Sequence, residues 1–330
     1  MYDLRLVSDM DAAHKFYNSH LGEPFVRGNV QAELALMPAS KATVADWFAG
    51  DDRITVGFYH RDCLVGLASG VIASTRGTGF LSYICVDPAH RRAGLATRLM
   101  DELESLLLSA DGVGKLEAVF HNPVHLPWFI PGGNGDYHPC LPGVDKASTL
   151  YLLLKNRGWR DYAHQNAYYR RMSTYEDRPE IAEALARLRA DGIDLTFYNS
   201  AVHYGLVELF DNINNPGWKA HVMAHTDRPI VVAVDKNALD SDGRALVVGY
   251  TGPLSQDGTP ARGNFCGIGT RTDYRGRGIG KQVFCAMCRA HRAAGAEFMS
   301  LYTGEDNPAR NIYESAGFQV VRSFADMRKE

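Results

Sequence analysis

Two stretches decide how this chain is read: residues 80–100, FLSYICVDPAHRRAGLATRLM, and residues 264–284, NFCGIGTRTDYRGRGIGKQVF. Each is a run of strand-forming residues, a short turn, a cluster of arginine and glycine, and the opening of an amphipathic helix. Setting Arg91 on Arg275 gives an offset of 184 residues (275 − 91), which also sets Val86 on Thr270, Gly94 on Gly278 and Ala96 on Gly280. The flanks repeat as well. Upstream lie paired strand-like runs, ITVGFYH with CLVGLASGVIA and IVVAVD with ALVVGYTGPL. Downstream come KLEAVF or AEFMSLYT, a helix ending at Gly158-Trp159 or Gly317-Phe318, and a closing strand, NAYYRRM or VVRSFADMRK. Glycine just past the last helical turn is the usual stop signal.

Between the halves, TYEDRPEIAEALARLRADGI sets Ile181, Leu185 and Leu188 on one helical face and ends at Gly192. This spacing predicts a linker helix over about 178–191 and a boundary near residue 175. The expected domains are 1–175 and 176–330. Each runs strand, two helices, three strands, helix, strand, helix, strand. The fold class is α/β in the mixed, α+β sense: two tandem domains, each a mostly antiparallel mixed sheet flanked by helices.

Composition agrees. A length of 330 residues suits two domains, and 45% apolar with 22% charged residues is ordinary for a soluble globular chain. A net charge of -3 gives no support to nucleic-acid binding through overall positive charge. No apolar run is long enough for a transmembrane helix, and MYDLRLVSDMD does not read as a signal peptide. Cys63, Cys85, Cys140, Cys266, Cys285 and Cys288 are scattered, which fits a reducing cytoplasm better than a disulfide framework. Cys285 and Cys288 read as small apolar residues on a buried helix face. His121, His125 and His138 lack a matching cysteine or carboxylate set, so no metal is expected.

The chemistry lies in the Arg/Gly cluster. Arg275-Gly276-Arg277-Gly278-Ile279-Gly280-Lys281 leaves an apolar strand and opens a helix. A helix N-terminus offers unpaired N–H groups and a positive dipole end to an anion. Glycines let the backbone close on a pyrophosphate, and the arginines add charge. The first copy, Arg91-Arg92-Ala93-Gly94-Leu95-Ala96, keeps the plan with alanine at the last glycine. Two rival phosphate loops fail on spacing. A P-loop has four residues between its first glycine and Gly-Lys, then Ser or Thr; here there are three, and Gln282 follows. The dinucleotide fingerprint needs a glycine where Lys281 stands.

R-x-x-G-x-G/A between a strand and a helix resembles the coenzyme A loop of the GCN5-related N-acetyltransferases, the GNAT family. Asn307-Pro308-Ala309 followed by Tyr313-Glu314-Ser315-Ala316-Gly317-Phe318 resembles that family's later motif. The gap from Asn307 to Tyr313 is one residue shorter than the family's usual one. The resemblance covers both halves and implies acetyl-CoA as co-substrate. It implies a splayed strand, Cys266 to Thr270, whose N–H groups at Ile268, Gly269 and Thr270 meet the thioester. It places Arg275, Gly276, Arg277, Gly278, Ile279, Gly280, Lys281 and Asn307 on the cofactor, and Tyr313 as the acid for the departing thiol. In the first half it places Cys85, Val86, Arg91, Arg92, Ala93, Gly94, Leu95 and Ala96 on a second cofactor molecule.

The tyrosine count in the first half lands on Leu154, which has no proton to give. Tyr151, one turn earlier, is the nearest substitute, displaced by roughly 5 Å. The first half is therefore expected to bind acyl-CoA weakly or to serve structure, with catalysis in the second. No general base stands out: Glu297, Glu305 and Asp306 read as solvated charges.

Residues 121–148, HNPVHLPWFIPGGNGDYHPCLPGVDKAS, form an insert without helical or strand period. The aromatics Trp128, Phe129 and Tyr137 argue for order. Two roles stand: lining an acceptor pocket, with Trp128 on the substrate, or sealing the domain interface. Around Asn215-Pro216-Gly217-Trp218, where the family's acceptor loop falls, Trp218 either touches substrate or anchors a helix start in the core. The expected activity is acetyl transfer to a primary amine of a small molecule (an amino sugar, an antibiotic or an amino-acid conjugate) by direct attack in a ternary complex. A role like that of the mycothiol synthases, also tandem members of the family, is an alternative; a non-catalytic acyl-CoA sensor is one of another class. No nucleic-acid or membrane partner is expected, and the protein would be a monomer or homodimer.

Overall fold

The structure, a computed structural model, describes residues 1–21, 36–129, 137–138, 141–257 and 261–330. The chain packs as two compact units, Met1–Asn166 with Arg322–Glu330, and Ala167–Val321.

Unit 1 begins with β1 (Asp3–Leu6), α1 (Met10–Ser19) and α2 (Lys41–Phe48), followed by β2 (Arg53–His60), β3 (Cys63–Ala73) and β4 (Thr78–Val86). Then come α3 (Leu95–Leu108), β5 (Lys115–Ala118), three short strands β6 (Trp128–Phe129), β7 (Tyr137–His138) and β8 (Val144–Asp145), α4 (Thr149–Asn156) and β9 (Arg160–Arg171). β1 to β4 form an antiparallel ladder, and β4 then meets β5 in parallel. The amphipathic spacing of α3 lays Leu95, Leu99, Met100, Leu103 and Leu107 on this sheet, where each is nearly inaccessible.

Unit 2 holds α5 (Pro179–Ala190), β10 (Ile193–Phe197), β11 (His203–Tyr204), α6 (Leu206–Asn212), α7 (Pro216–Met223), β12 (Val231–Leu239) and β13 (Ala245–Thr251). β14 (Gln256–Asp257), β15 (Arg262–Gly263), β16 (Ile268–Thr270), α8 (Ile279–Ala293), β17 (Phe298–Gly304) and α9 (Arg310–Ser315) follow, and the last strand, β18 (Gln319–Lys329), begins here. β10, β12, β13 and β16 are successive antiparallel neighbours. α5 buries Ile181 and Leu188, and Gly192 follows it at φ +87°.

The closing strands depart from the linear division at residue 175. β9 and β18 were each expected to finish their own half. Instead β9 starts in unit 1 and ends in unit 2, and β18 starts in unit 2 and ends in unit 1. In unit 1, β18 lies antiparallel to β5, with Met327 opposite Ala118. Phe324, Ala325 and Met327 have no accessible surface. Arg322 pairs with Asp145 at 3.0 Å, and Lys329 with Glu104 at 2.6 Å. Burial alone would raise the Glu104 carboxyl, but hydrogen bonds from Arg157, Lys329 and Trp159 hold it below the ordinary carboxylate range. Hydrophobic pattern identifies a strand; it does not say which sheet edge the strand will take.

Among the described residues, no helix is long and apolar enough to cross a membrane, and no group of three or more His, Cys, Asp or Glu is placed to hold a metal ion. Cys285 and Cys288 are buried in α8; Cys140 lies outside the described residues.

Candidate active site

The loop entering α8 is held open by two left-handed glycines, Gly276 at φ +80° and Gly278 at φ +82°. A pocket of about 190 Å³ lies against it, lined by Thr270, Tyr274, Arg275, Gly276, Gly278, Ile279, Gly280, Lys281 and Ile312. Arg275 donates from Nε to the Thr270 carbonyl at 3.4 Å, and Arg277 lies over the Tyr274 ring at 4.9 Å. Ile279 is buried and pins the first turn of α8 to the core. Its share in an anion site is therefore its N–H. Cationic side chains, free helix N–H groups and glycine geometry thus converge on one opening.

A Cβ on Gly278 would meet nothing within 4 Å. Gly278→Ala should therefore cost only the left-handed backbone strain, about 1–2 kcal/mol. Its effect on acetyl-CoA affinity should be far larger, on the order of tenfold or more, because the methyl would stand where a phosphate oxygen must approach. Thermal unfolding and calorimetry on the same variant separate the two effects.

Next to the loop, the strand breaks. Arg271 N donates to Val248 O at 2.9 Å, and Gly252 N to Gly267 O at 3.0 Å. With Gly269 opposite Tyr250, ladder alternation turns the N–H groups of Gly267, Gly269 and Arg271 toward β13, and those of Ile268 and Thr270 away from it. Of the three N–H groups expected at the thioester, Gly269 is thus spent in the sheet. β17 pairs with β15 only at Arg262 and Gly263, and no described strand other than β13 pairs with β16. The N–H groups of Thr270 and Ile268 therefore lead, in that order, away from the anion loop along a bare edge.

His291 supports the break from α8. Its Nε2–H donates to Asn264 O at 3.0 Å, and a Cβ on the neighbouring Gly263 would strike its ring at 2.8 Å. Burial pushes the His291 pKa down to about 4, so the ring is neutral. Its folded pKa lies below its unfolded value, so stability is intact above about pH 6.5 and is lost as pH falls toward 4. The loss should approach about 3 kcal/mol. Denaturant titrations across this range check it, and His291→Gln should flatten the slope.

Tyr313 stands across the break on α9. Its ring lies 5.8 Å from Phe265 and 5.1 Å from Phe284, and it is 5% exposed. Burial, with a smaller contribution from Tyr168, pushes its pKa up to about 12, so the hydroxyl is a neutral donor. Asn307 is exposed at the start of α9, where its Oδ1 accepts from Ala309 N at 3.0 Å. Trp218 is half-buried and closes on Gly267, where a Cβ would lie 2.8 Å from the indole.

Unit 1 repeats the scaffold and closes it. Arg91 donates to Val86 O at 3.0 Å, the same bond at the same offset as Arg275 to Thr270. Asp87 N bonds Val65 O, with Cys85 opposite Leu67, so Ile84 and Val86 turn their N–H groups from β3 just as Ile268 and Thr270 do from β13. Leu95 is buried like Ile279, and Gly94 is left-handed like Gly278. Arg92 occupies the place of Gly276 at φ +62°, a conformation that strains any side chain but glycine. Ala93 is exposed, and Ala96 carries a Cβ where Gly280 leaves room against Ile312.

The mouth of the β4–β5 splay is bridged by Asn122, which donates to Leu81 O at 2.8 Å and accepts from Ser82 Oγ at 3.0 Å. Asn122-Pro123 repeats Asn307-Pro308, a signal present in the sequence and missed because it lies inside the stretch read as an insert. The insert pairs back on the segment after α1: Met37 N donates to Pro127 O at 3.0 Å, and Leu36 bridges Trp128. Trp128 is fully buried between His138 and Phe324, so it has no surface for a substrate. That corrects the reading that placed it on one. Leu154 is buried, and the Tyr151 hydroxyl is bound to Asp161 at 2.6 Å. Among the described residues, neither Leu154 nor Tyr151 offers this splay a free donor like Tyr313.

An anion loop, a bared strand edge and a buried tyrosine in sequence define the class of enzymes that bind a nucleotide-tailed thioester and pass on its acyl group. Family models agree: "Acetyltransferase (GNAT) family" matches residues 14–125, and "Acetyltransferase (GNAT) domain" matches residues 227–320. The chain is a tandem, two-domain member of the GNAT family, whose chemistry is acyl-CoA-dependent N-acyl transfer. No curated protein matches the sequence. Among solved structures, the GCN5-related glucosamine N-acetyltransferase region of a fungal multi-domain GH3 beta-N-acetylglucosaminidase is 16% identical, with a TM-score of 0.60; the match covers 100% of this chain and 38% of that one. A tandem GNAT protein from the clavulanic acid biosynthesis pathway is 13% identical, with a TM-score of 0.55 and coverage of 100% and 98%. A GCN5-related N-acetyltransferase from Sphaerobacter thermophilus is 16% identical, with a TM-score of 0.56 and coverage of 100% and 95%. At these identities the likeness is one of fold.

Proposed function

We propose that unit 2 transfers an acetyl group from acetyl-CoA to the primary amine of a small molecule by direct attack. The bare N–H pair of Ile268 and Thr270, lying between the Arg275–Lys281 loop and Tyr313, carries this reading. The pyrophosphate sits on the loop, and the pantetheine arm follows Thr270 toward Ile268. The Ile268 N–H receives the thioester oxygen as charge develops there. The amine lone pair attacks the carbonyl carbon, the C–S bond breaks, and Tyr313 donates to the leaving sulfur. The amine's surplus proton passes to solvent, and solvent returns a proton to the Tyr313 oxygen. Unit 1 shares the loop but not the donor, and its splay is bridged; its role is structural or one of ligand binding without turnover.

Calorimetric titration with acetyl-CoA tests the reading. A stoichiometry near one assigns binding to unit 2 alone, and two would mean that the Arg91 loop is also occupied. Undetectable binding at millimolar acetyl-CoA overturns it. Release of coenzyme A on adding glucosamine, as a first amine from a wider panel, then tests transfer.

A further inference from the structure

Gly267 and Gly269 strip the broken strand of side chains on the face turned to Trp218 and Ile213, and Gly252, just past β13, lets the Cys266 carbonyl approach closely. A Cβ at Gly267 would lie 2.8 Å from the Trp218 ring; at Gly269, 2.6 Å from Tyr250 and 2.9 Å from Ile213; at Gly252, 2.1 Å from the Cys266 carbonyl. Aromatic rings therefore sit directly against bare backbone. Trp218 and Tyr250 meet edge to face at 6.4 Å. On the opposite face of the break stand Phe265, Phe284 and Tyr313. Aromatic rings thus flank the strand that carries the Ile268 N–H on both faces.

One polar atom beside this strand is unexplained. Tyr250 has no accessible surface, and its hydroxyl has no hydrogen-bond partner among the described residues. Burial holds that hydroxyl protonated, with Cys266 beside it adding to the effect. A buried hydroxyl without a partner is costly to a fold, so the packing around the Tyr250 ring must offset it. Trp218, which is half-buried, packs edge to face on the same ring.

We propose that Trp218 sets the length of the acyl group the enzyme accepts: packed on Gly267, its ring leaves room for only a two- or three-carbon chain beyond the thioester. This rests on the proposed placement of the pantetheine arm along β16. A longer chain would have to displace the indole, because no side chain on Gly267 or Gly269 can be trimmed to make room. Without such a wall, each added methylene would improve binding by burying apolar surface. Discrimination against long chains is therefore the signature of the wall.

The test compares the Kd of acetyl-CoA with that of octanoyl-CoA in the wild-type protein, Trp218→Ala and Trp218→Phe. We expect the wild type to bind acetyl-CoA at least tenfold more tightly. The ratio should fall at least tenfold in Trp218→Ala and by an intermediate amount in Trp218→Phe, with the two ligands compared within each protein. Equal or tighter octanoyl-CoA binding by the wild type overturns the proposal. So does an unchanged ratio in both variants. Failure of the wild type to bind either thioester would instead overturn the functional reading itself.

Discussion

Replacing Tyr313 by Phe should lower kcat about 100- to 1000-fold and leave the acetyl-CoA Kd within about twofold. The hydroxyl makes no hydrogen bond to any described residue, while the ring is fixed by Phe265 and Phe284. The substitution therefore removes a donor without opening a cavity, and the melting temperature should hold. The pKa of about 12 has a further consequence. Tyr313 stays protonated through the working range, so no alkaline limb below about pH 10 should trace to it. Any limb near neutrality would report deprotonation of the acceptor amine. Wild-type turnover in Tyr313→Phe would mean that a water, rather than this hydroxyl, protonates the thiolate. A protein that only senses acyl-CoA would show no turnover in either form.

Removing residues 322–330 should unfold unit 1 while unit 2 stays folded. The segment supplies the antiparallel partner of β5 and the buried side chains of Phe324, Ala325 and Met327. It also carries the partners of Asp145, Glu117 and Glu104. Losing a buried Phe and a buried Met costs about 3–5 and 2–5 kcal/mol respectively, against a total stability of about 5–15 kcal/mol for a domain. Hydrogen exchange should show β2 to β5 unprotected, with β12, β13 and α8 still protected. The milder Met327→Ala should lower stability by about 2–5 kcal/mol without abolishing the fold.

The sequence carried the scaffold well because repetition amplifies weak signals. A single Arg/Gly cluster is ambiguous, but Arg91 and Arg275 each bond the carbonyl of the last strand residue at an identical offset. Tyr313 is singled out by the resemblance, from its place four residues before Gly317; the structure buries it beside Phe265 and Phe284. Pairing choices escaped the sequence. Nothing in the alternation of β18 says that Met327 lies beside β5. The alternation that separates Ile268 and Thr270 from Gly269 depends on register with β13, which no pattern along one strand reveals. His291 looked like one more helix residue, and its role comes from what α8 packs against. Trp128 misled because an aromatic in a Pro-rich loop suits a pocket and a core equally well. Its burial is decided by Leu36, Met37 and Phe324, all remote in sequence.

The returning strand also sets an order of events during biosynthesis. The ribosome delivers β1 to β5 early, yet the segment that covers β5 emerges only after all of Ala167–Val321 has been made. At typical elongation rates of 5–20 residues per second, the nascent first unit waits roughly ten to thirty seconds with that edge uncovered. Unit 2, encoded later, can complete its core before the earlier-made half closes. Chaperone dependence and sensitivity to translational pausing should therefore concentrate in the amino-terminal half, the reverse of simple vectorial folding.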